Sequence, residues 1–345
     1  MIQKTIISQG SKRMERESMD GHCKTYQDLK KYRDQHILEH VSSNDALNRF
    51  HDFILKNVFD IALRSIIDEF GSPPCGYTWF VMGSAGRFEQ AVISDQDHGL
   101  IYENANHESK LFFEALGKEI TTGLHFVGYP YCEGNIMSSN PKWCKSIEAW
   151  EHQIKTWMES DTWESIRYLL MFYDARAVVG NKEDVTVLKG IVCNYIDDHP
   201  EFLQRLMDNT MHLKKAIGIF GQFIVKNHGP YTGSIHLKDT CFFPYINVMR
   251  LLSIKEKIME TSTLVRLSHL LTFPRYDEAL VTFEENFKKL LEYRMMNHEE
   301  KKEYDDFHYL KISLLTPEQK KELKRIIKDG KRFHQYVQCV IRKGC

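Results

Sequence analysis

The stretch YTWFVMGSAGRFEQAVISDQDHGLIY, residues 77–102, decides how the rest of the chain is read. It opens on Tyr77-Thr-Trp-Phe-Val-Met82, a short β-branched and aromatic run of the kind that forms a core strand. Gly83 and Ser84 follow directly, where a glycine lets the backbone come close to a ligand and a serine hydroxyl adds a donor. Asp95 and Asp97 come next, at the start of a second short apolar run, Asp97–Tyr102. In an extended segment a spacing of two puts both carboxylates on one face. Carboxylates side by side repel, and a hard divalent cation relieves the repulsion. A glycine-serine turn beside a D-x-D pair is what metal-assisted attack on a nucleotide phosphorus requires. The turn is not a Walker loop, because the G-x-x-x-x-G-K-[ST] pattern is missing.

Outward from this stretch the period changes to that of helices. The first twenty or so residues are polar and expected to fray. From Lys24 to Phe70, Leu47, Phe50, Ile54, Val58, Ile61 and Ile66 follow the steps of one buried helical face. Ser43 and Asn44 offer an N-cap, and Gly71 with Pro73 and Pro74 stops the run. Downstream, helices are predicted at about 108–125, 146–159 and 163–179, and Trp143, Trp150 and Trp157 read as one packed helix face. After Asp184 the pattern is helices joined by short loops, ending in a segment that Thr316, Pro317 and Gln319 begin and Gly330 closes. No repeat of solenoid length recurs. The fold class is therefore α/β (α+β): a small mixed-sheet domain at 71–183, preceded by an N-terminal helical segment at 1–70 and followed by a helical-bundle domain at 184–345.

Composition excludes several functions. The chain has 345 residues, with 46 lysines and arginines against 47 aspartates and glutamates, a formal net charge of −1. That balance gives no field for drawing in DNA, RNA or an anionic membrane, so nucleic acid is disfavoured as a partner. Apolar residues make up 42%, enough for packed cores, yet no run is long enough to span a bilayer. The N-terminus lacks the apolar region of a signal peptide. Eight scattered cysteines without a C-x-x-C pair are expected to be free thiols in a reducing cytoplasm, and the RKGC ending lacks prenylation spacing. Nine basic residues against three acidic ones from Pro317 onward read as a solvated helix face, with a docking surface for an acidic partner or RNA as the alternative.

Gly83-Ser84 followed by Asp95-x-Asp97 resembles the signature of the DNA polymerase β-like nucleotidyltransferase superfamily. The longer string GSAGRFEQAVISDQDHGLIY is similar to a narrower bacterial nucleotidyltransferase family, related to the N-terminal catalytic domain of the PII-protein uridylyltransferase. The strings at 128–143 and at Asp174–Gly180 resemble it too, and the C-terminal half resembles the helical domain that follows in this family, often called substrate-binding. The resemblance implies a uridylyltransferase-like enzyme that moves UMP or AMP from a nucleoside triphosphate to a hydroxyl acceptor, on a protein, and releases pyrophosphate.

By that resemblance Gly83, Ser84 and Arg87 would hold the nucleotide, and Asp95 and Asp97 the metal, Mg2+ with Mn2+ as the alternative. Glu89 would orient Arg87, and Gln96 has no catalytic role. The superfamily carries a third carboxylate on a later strand, for which Asp174, catalytic by this reading, and Glu133 are the candidates. Asn135, Ser138 and Asn140 could line the pocket, Lys238, Arg250 and Arg266 could face it, and His98 is a neutral spectator or a ligand. If no third carboxylate completes the site, a catalytically silent nucleotide-binding regulatory module is the alternative. A scaffold for protein contacts is a third reading. No H-E-x-x-H or H-x-H cluster signals a phosphohydrolase, and no room is expected for added ligand-sensing domains.

Overall fold

A computed structural model of the protein describes residues 24–343. The polar N-terminal stretch, Cys23 and the terminal Gly344 and Cys345 lie outside the described residues. The chain begins with α1 (Tyr26–His36) and α2 (Asn44–Phe70), separated by the short turn Ile37–His40, so the 24–70 pattern is two helices. Ser43 caps α2 by accepting the Ala46 N–H, and Gly71, at a φ of 83°, ends it.

Strands β1 (Tyr77–Val81), β2 (His98–Tyr102), β3 (Cys144–Ser146) and β4 (Arg176–Gly180) form one sheet in the order β3-β2-β1-β4. The sheet is mixed: β1 runs antiparallel to β2 and β4, and β2 parallel to β3. Around it lie α3 (His107–Val127), α4 (Ile147–Ser160), α5 (Trp163–Phe172) and α6 (Lys182–Asp198). The helix predicted over 163–179 ends early: α5 stops at Phe172, and Arg176–Gly180 is the strand β4. Its residues are half-buried at a sheet edge, which leaves no clean alternation for a period-2 reading.

Both faces of the sheet are covered, which explains the near-continuous apolar character of its two central strands. Trp79, Val81, Leu100 and Tyr102 enter one core with α1, α2 and α3, including Phe59, Phe113 and Leu116. Phe80, Met82 and Ile101 point the other way, into a core with α4, α5 and the C-terminal helices. Trp143, Trp150 and Trp157 pack there against one another, but the predicted single helix face holds only for Trp150 and Trp157 on α4, since Trp143 lies just before β3. The Trp150 indole N–H donates to the Leu100 carbonyl at 2.9 Å. Burial of each such side chain contributes roughly 1.5–3 kcal/mol.

The C-terminal half contains α7 (Glu201–Asp208), α8 (Phe243–Lys255), α9 (Thr263–Leu270), α10 (Pro274–Leu280), α11 (Phe283–Met295) and α12 (Pro317–Lys343). Two features depart from helices with short loops. Residues 209–233 are irregular apart from one bridge between Ile217 and Phe223, and β5 (Ser234–His236) pairs with β6 (Tyr309–Lys311) in a second small sheet. Thr316 and Gln319 form the predicted capping box, at 2.9 and 3.2 Å. Gly330, however, does not close that helix; α12 runs through it. A Cβ there would lie 2.7 Å from the Tyr245 ring, so the glycine serves the close approach of α12 to α8. No disulfide joins the described cysteines.

Candidate active site

The end of β1 and the start of β2 are tied together: the Met82 N–H donates to the Asp97 carbonyl at 2.8 Å. The chain then turns at Gly83, with a φ of 56°, into one helical turn, Gly83–Gly86. A Cβ on Gly83 would stand 2.1 Å from Asp97 Oδ2, and one on Gly86 would stand 2.1 Å from the Asp174 carbonyl oxygen. The Glu89 N–H closes the turn on the Ser84 carbonyl at 2.8 Å. Both glycines are there because the backbone must pass so close to its neighbours.

Asp95 and Asp97 lie in the extended segment just before β2. Their carboxylate oxygens and the Cys132 thiol all fall within 4.8 Å of one another. Asp97 Oδ1 is buried and has no hydrogen-bond partner. Burial, then the neighbouring charge of Asp97, pushes the Asp95 carboxyl up to about 7, against the opposing pull of Lys238 and a hydrogen bond from Tyr304. Burial and Asp97 also hold the Cys132 thiol well above its ordinary range, so the sulfur is protonated at neutral pH. Tyr304 is raised further, by burial and by both aspartates. An orphaned carboxylate oxygen beside a carboxylate that resists ionisation fits a divalent cation. Asp95 and Asp97 are the hard oxygen donors for it, and the cradle at Gly83 leaves their approach open.

Arg87 and Asp174 sit behind this pair in a buried charge cluster. Arg87 Nε meets Glu89 Oε2 at 2.9 Å and its Nη1 meets Asp174 Oδ2 at 2.8 Å. Burial disfavours the Arg87 cation, but these two carboxylates outweigh it and raise its affinity for the proton. Asp174 is fully buried and also receives Arg250 Nη2 at 2.5 Å and Arg266 Nη1 at 2.7 Å. Burial would raise its carboxyl, yet the three guanidiniums hold it far below the usual range. Arg294 donates to the Glu89 carbonyl and Thr263 to the Glu89 carboxylate. Burial pulls Arg294 down to about 10, and its Nε has no partner.

A cavity of about 360 Å³ opens between the two halves of the chain. Gly83, Ser84, Asp95 and Asp97 line one wall; Arg87, Lys238, Arg250 and Arg294 supply cations; Leu170, Met171, Phe242 and Ile246 give an apolar side. This is the size and mixture of a small-molecule site. An anion with an apolar or aromatic body suits it.

Several sequence candidates lie elsewhere. Asp174 is consumed by three arginines and does not join the metal-competent group, so it is not a third carboxylate beside the pair. Glu133 is exposed on its loop and belongs to neither the cluster nor the cavity wall. Ser138 bonds the Gly117 carbonyl of α3 at 3.1 Å, and Asn140 bonds the Asn135 carbonyl at 2.9 Å, so these side chains tie the loop to α3 and to itself. Gln96 donates to the Tyr129 carbonyl at 3.1 Å, turned away from the aspartates. His98 accepts from the Trp79 indole at 3.2 Å and donates to Gln96 Oε1 at 2.9 Å; burial lowers it to about 3, so it is neutral. Lys238 and Arg250 do reach the cavity, whereas Arg266 stays behind it on Asp174. Cys132, Thr263, Arg294 and Tyr304 carry no local motif and come together only in three dimensions.

Residues 29–164 match the family described as putative nucleotidyltransferase DUF294, and residues 200–341 match the putative nucleotidyltransferase substrate binding domain. The Gly83–Asp97 wall falls in the first match; Lys238, Arg250, Arg294 and Tyr304 fall in the second. No curated protein matches the chain. No described helix is long and apolar enough to cross a membrane.

Proposed function

The chain belongs to the nucleotidyltransferase family those two matches define, and on that premise we propose that it moves a nucleoside monophosphate, UMP or AMP, from a nucleoside triphosphate to a hydroxyl acceptor on a protein, with release of pyrophosphate. The observation that carries the reading is the pair Asp95 and Asp97, one oxygen orphaned, facing a cavity across the Gly83 turn. Asp95 and Asp97 would hold Mg2+, or Mn2+ in its place. When bound, the cation neutralises triphosphate charge and polarises the transferring phosphorus.

The chain's own groups do the remaining work. The turn at Gly83 and Ser84 receives the phosphates, since it has no side chain at Gly83 to exclude them and a hydroxyl at Ser84 to bond them. Arg87 offers positive charge to that turn, and Glu89 and Asp174 fix its orientation. Arg250, Arg294 and Lys238 extend the charge from the C-terminal side, so a triphosphate is gripped by both halves. The apolar wall of Leu170, Met171, Phe242 and Ile246 accepts the base or an apolar part of the acceptor. The C-terminal half, 184–345, serves as the substrate-binding domain.

One observation favours a second reading. The third member of the metal-competent group is the protonated thiol of Cys132 rather than a carboxylate, which suits a nucleotide-binding regulatory module that transfers nothing. Labelling from each of the four α-32P nucleoside triphosphates, with Mg2+ or Mn2+ and with or without lysate, separates the two. Label on an acceptor, with pyrophosphate released and both lost in the Asp95→Asn, Asp97→Asn protein, supports transfer. Nucleotide binding without label or pyrophosphate supports the regulatory module.

A further inference from the structure

We propose that the chain nucleotidylates itself, with the Tyr304 hydroxyl as acceptor. The inference rests on the nucleotidyltransferase reading of the same site and adds the identity of one acceptor. Tyr304 lines the same cavity as Gly83, Ser84, Asp95 and Asp97. Its hydroxyl is hydrogen-bonded to the Asp95 carboxylate and receives the Lys238 ammonium at 3.1 Å. A phenolic oxygen thus stands at the carboxylate pair, where an acceptor hydroxyl has to be.

The side chain is held there by its surroundings. Tyr304 opens the short turn Tyr304–His308, which follows α11 and leads into β6. Asp306 Oδ2 accepts the Lys302 and Glu303 N–H groups, each at 2.9 Å, and the Tyr231 hydroxyl donates to Asp306 Oδ1 at 3.1 Å. Phe307, fully buried, anchors the turn in the core that α1, α2 and α3 share with the sheet. His308 packs edge-on against the Tyr304 ring, 4.4 Å between centroids. Among the other hydroxyls that line the cavity, Ser84 stands at the turn assigned to the phosphates, Thr210 is engaged with the Met207 carbonyl at 2.7 Å and Ser94 with the Ala91 backbone. Tyr304 is the one in contact with Asp95.

The chemistry balances without a further co-reactant. Tyr304 Oη forms a bond to the α-phosphorus of a nucleoside triphosphate, and the bond from that phosphorus to the bridging oxygen breaks. Pyrophosphate leaves with the electron pair. The phenolic proton passes to water, while the Lys238 ammonium steadies the oxygen as its charge builds. The product is a nucleotidyl-tyrosine. One acceptor per chain limits the reaction to one nucleotide per chain, and an acceptor inside its own site makes the rate constant independent of protein concentration.

The test uses the full-length chain. Intact mass is recorded on the protein as purified and again after incubation with each nucleoside triphosphate and Mn2+ or Mg2+, followed by peptide mapping. The expected result is a gain of one nucleoside monophosphate, up to one per chain, on the peptide bearing Tyr304. In Tyr304→Phe the gain is lost. Should that variant not fold, the site map on the unaltered chain decides alone. Label on any other residue, or transfer to a lysate acceptor with Tyr304 bare, overturns the self-acceptor and leaves the nucleotidyltransferase reading standing. Absence of pyrophosphate release and of label on chain and lysate alike overturns both.

Discussion

Gly83 and Asp97 approach so closely that a methyl group on the first would lie 2.1 Å from a carboxylate oxygen of the second. The contact couples the turn that would receive phosphates to the pair that would hold the metal. Gly83→Ala therefore does two things. Alanine in a left-handed conformation costs roughly 1–2 kcal/mol, and Asp97 must move away. The expected outcome is a melting temperature lower by a few degrees and a transfer rate lower by about 100-fold or more, read by calorimetry and α-32P labelling. Near-native transfer would show that the turn takes no part in binding.

Asp97→Asn removes the charge of the carboxylate whose Oδ1 lacks a partner and replaces one of its two oxygens by an amide NH2. Loss of a metal-holding carboxylate exceeds the roughly 10–100-fold penalty typical of outer-shell partners. Mn2+ titration of the variant by calorimetry is expected to show no saturable site, with transfer at background and the circular dichroism spectrum unchanged. Saturable Mn2+ binding of native affinity would place the metal elsewhere.

Asp95→Asn has a different signature, because the native carboxyl is raised to about 7 by burial and by Asp97. Between an ordinary carboxylate value and 7 the folded chain binds more protons than the unfolded one. Metal-free stability from this group is thus present in acid and declines as pH rises through that window. The variant should melt higher than the native protein at pH 8 without metal, and the gap should narrow toward pH 5. Affinity for Mn2+ in the native protein runs the opposite way, rising through pH 7. A variant that melts lower at pH 8 would contradict the cost assigned to the Asp95 charge.

Asp174→Asn should move stability in the other direction. Three guanidiniums converge on this carboxylate, and removing its charge leaves Arg250 and Arg266 buried without a carboxylate, while Arg87 keeps only Glu89. Breaking such a cluster costs about 3–5 kcal/mol. Differential scanning calorimetry is expected to show a clear fall in melting temperature, with any folded remainder still able to bind Mn2+. A variant of native stability that lost metal would return Asp174 to the metal site.

What the sequence made legible was local. The strand-turn-strand of residues 77–102 could be read because its glycine, serine and paired aspartates sit a few residues apart, and the helical periods around it are long. β4 was misread as helix because its half-buried residues show no alternation, and β5 and β6, three residues each, are too short for any period to appear. Gly330 looked like a helix end because the Tyr245 ring it accommodates lies 85 positions away in the chain. Asp174 was a candidate carboxylate in the sequence, but its three partners, Arg87, Arg250 and Arg266, lie far from it along the chain and could not be read there. Tyr304 carried no signal, and Cys132, though inside the 128–143 string, carried none for a place beside the aspartates; only folding brings them there.

Arg250 and Arg266 reach from the C-terminal half to Asp174, and Arg294 and Thr263 reach to Glu89. Asp174 itself stands in the stretch between the two family matches. The chain is consequently a poor candidate for modular exchange. A hybrid joining residues 29–164 of one relative to residues 200–341 of another would draw Glu89 and its partners Thr263 and Arg294 from different parents, and would leave the origin of Asp174, partner of Arg250 and Arg266, to the seam. Heredity in this architecture passes through the seam as much as through the domains on either side of it.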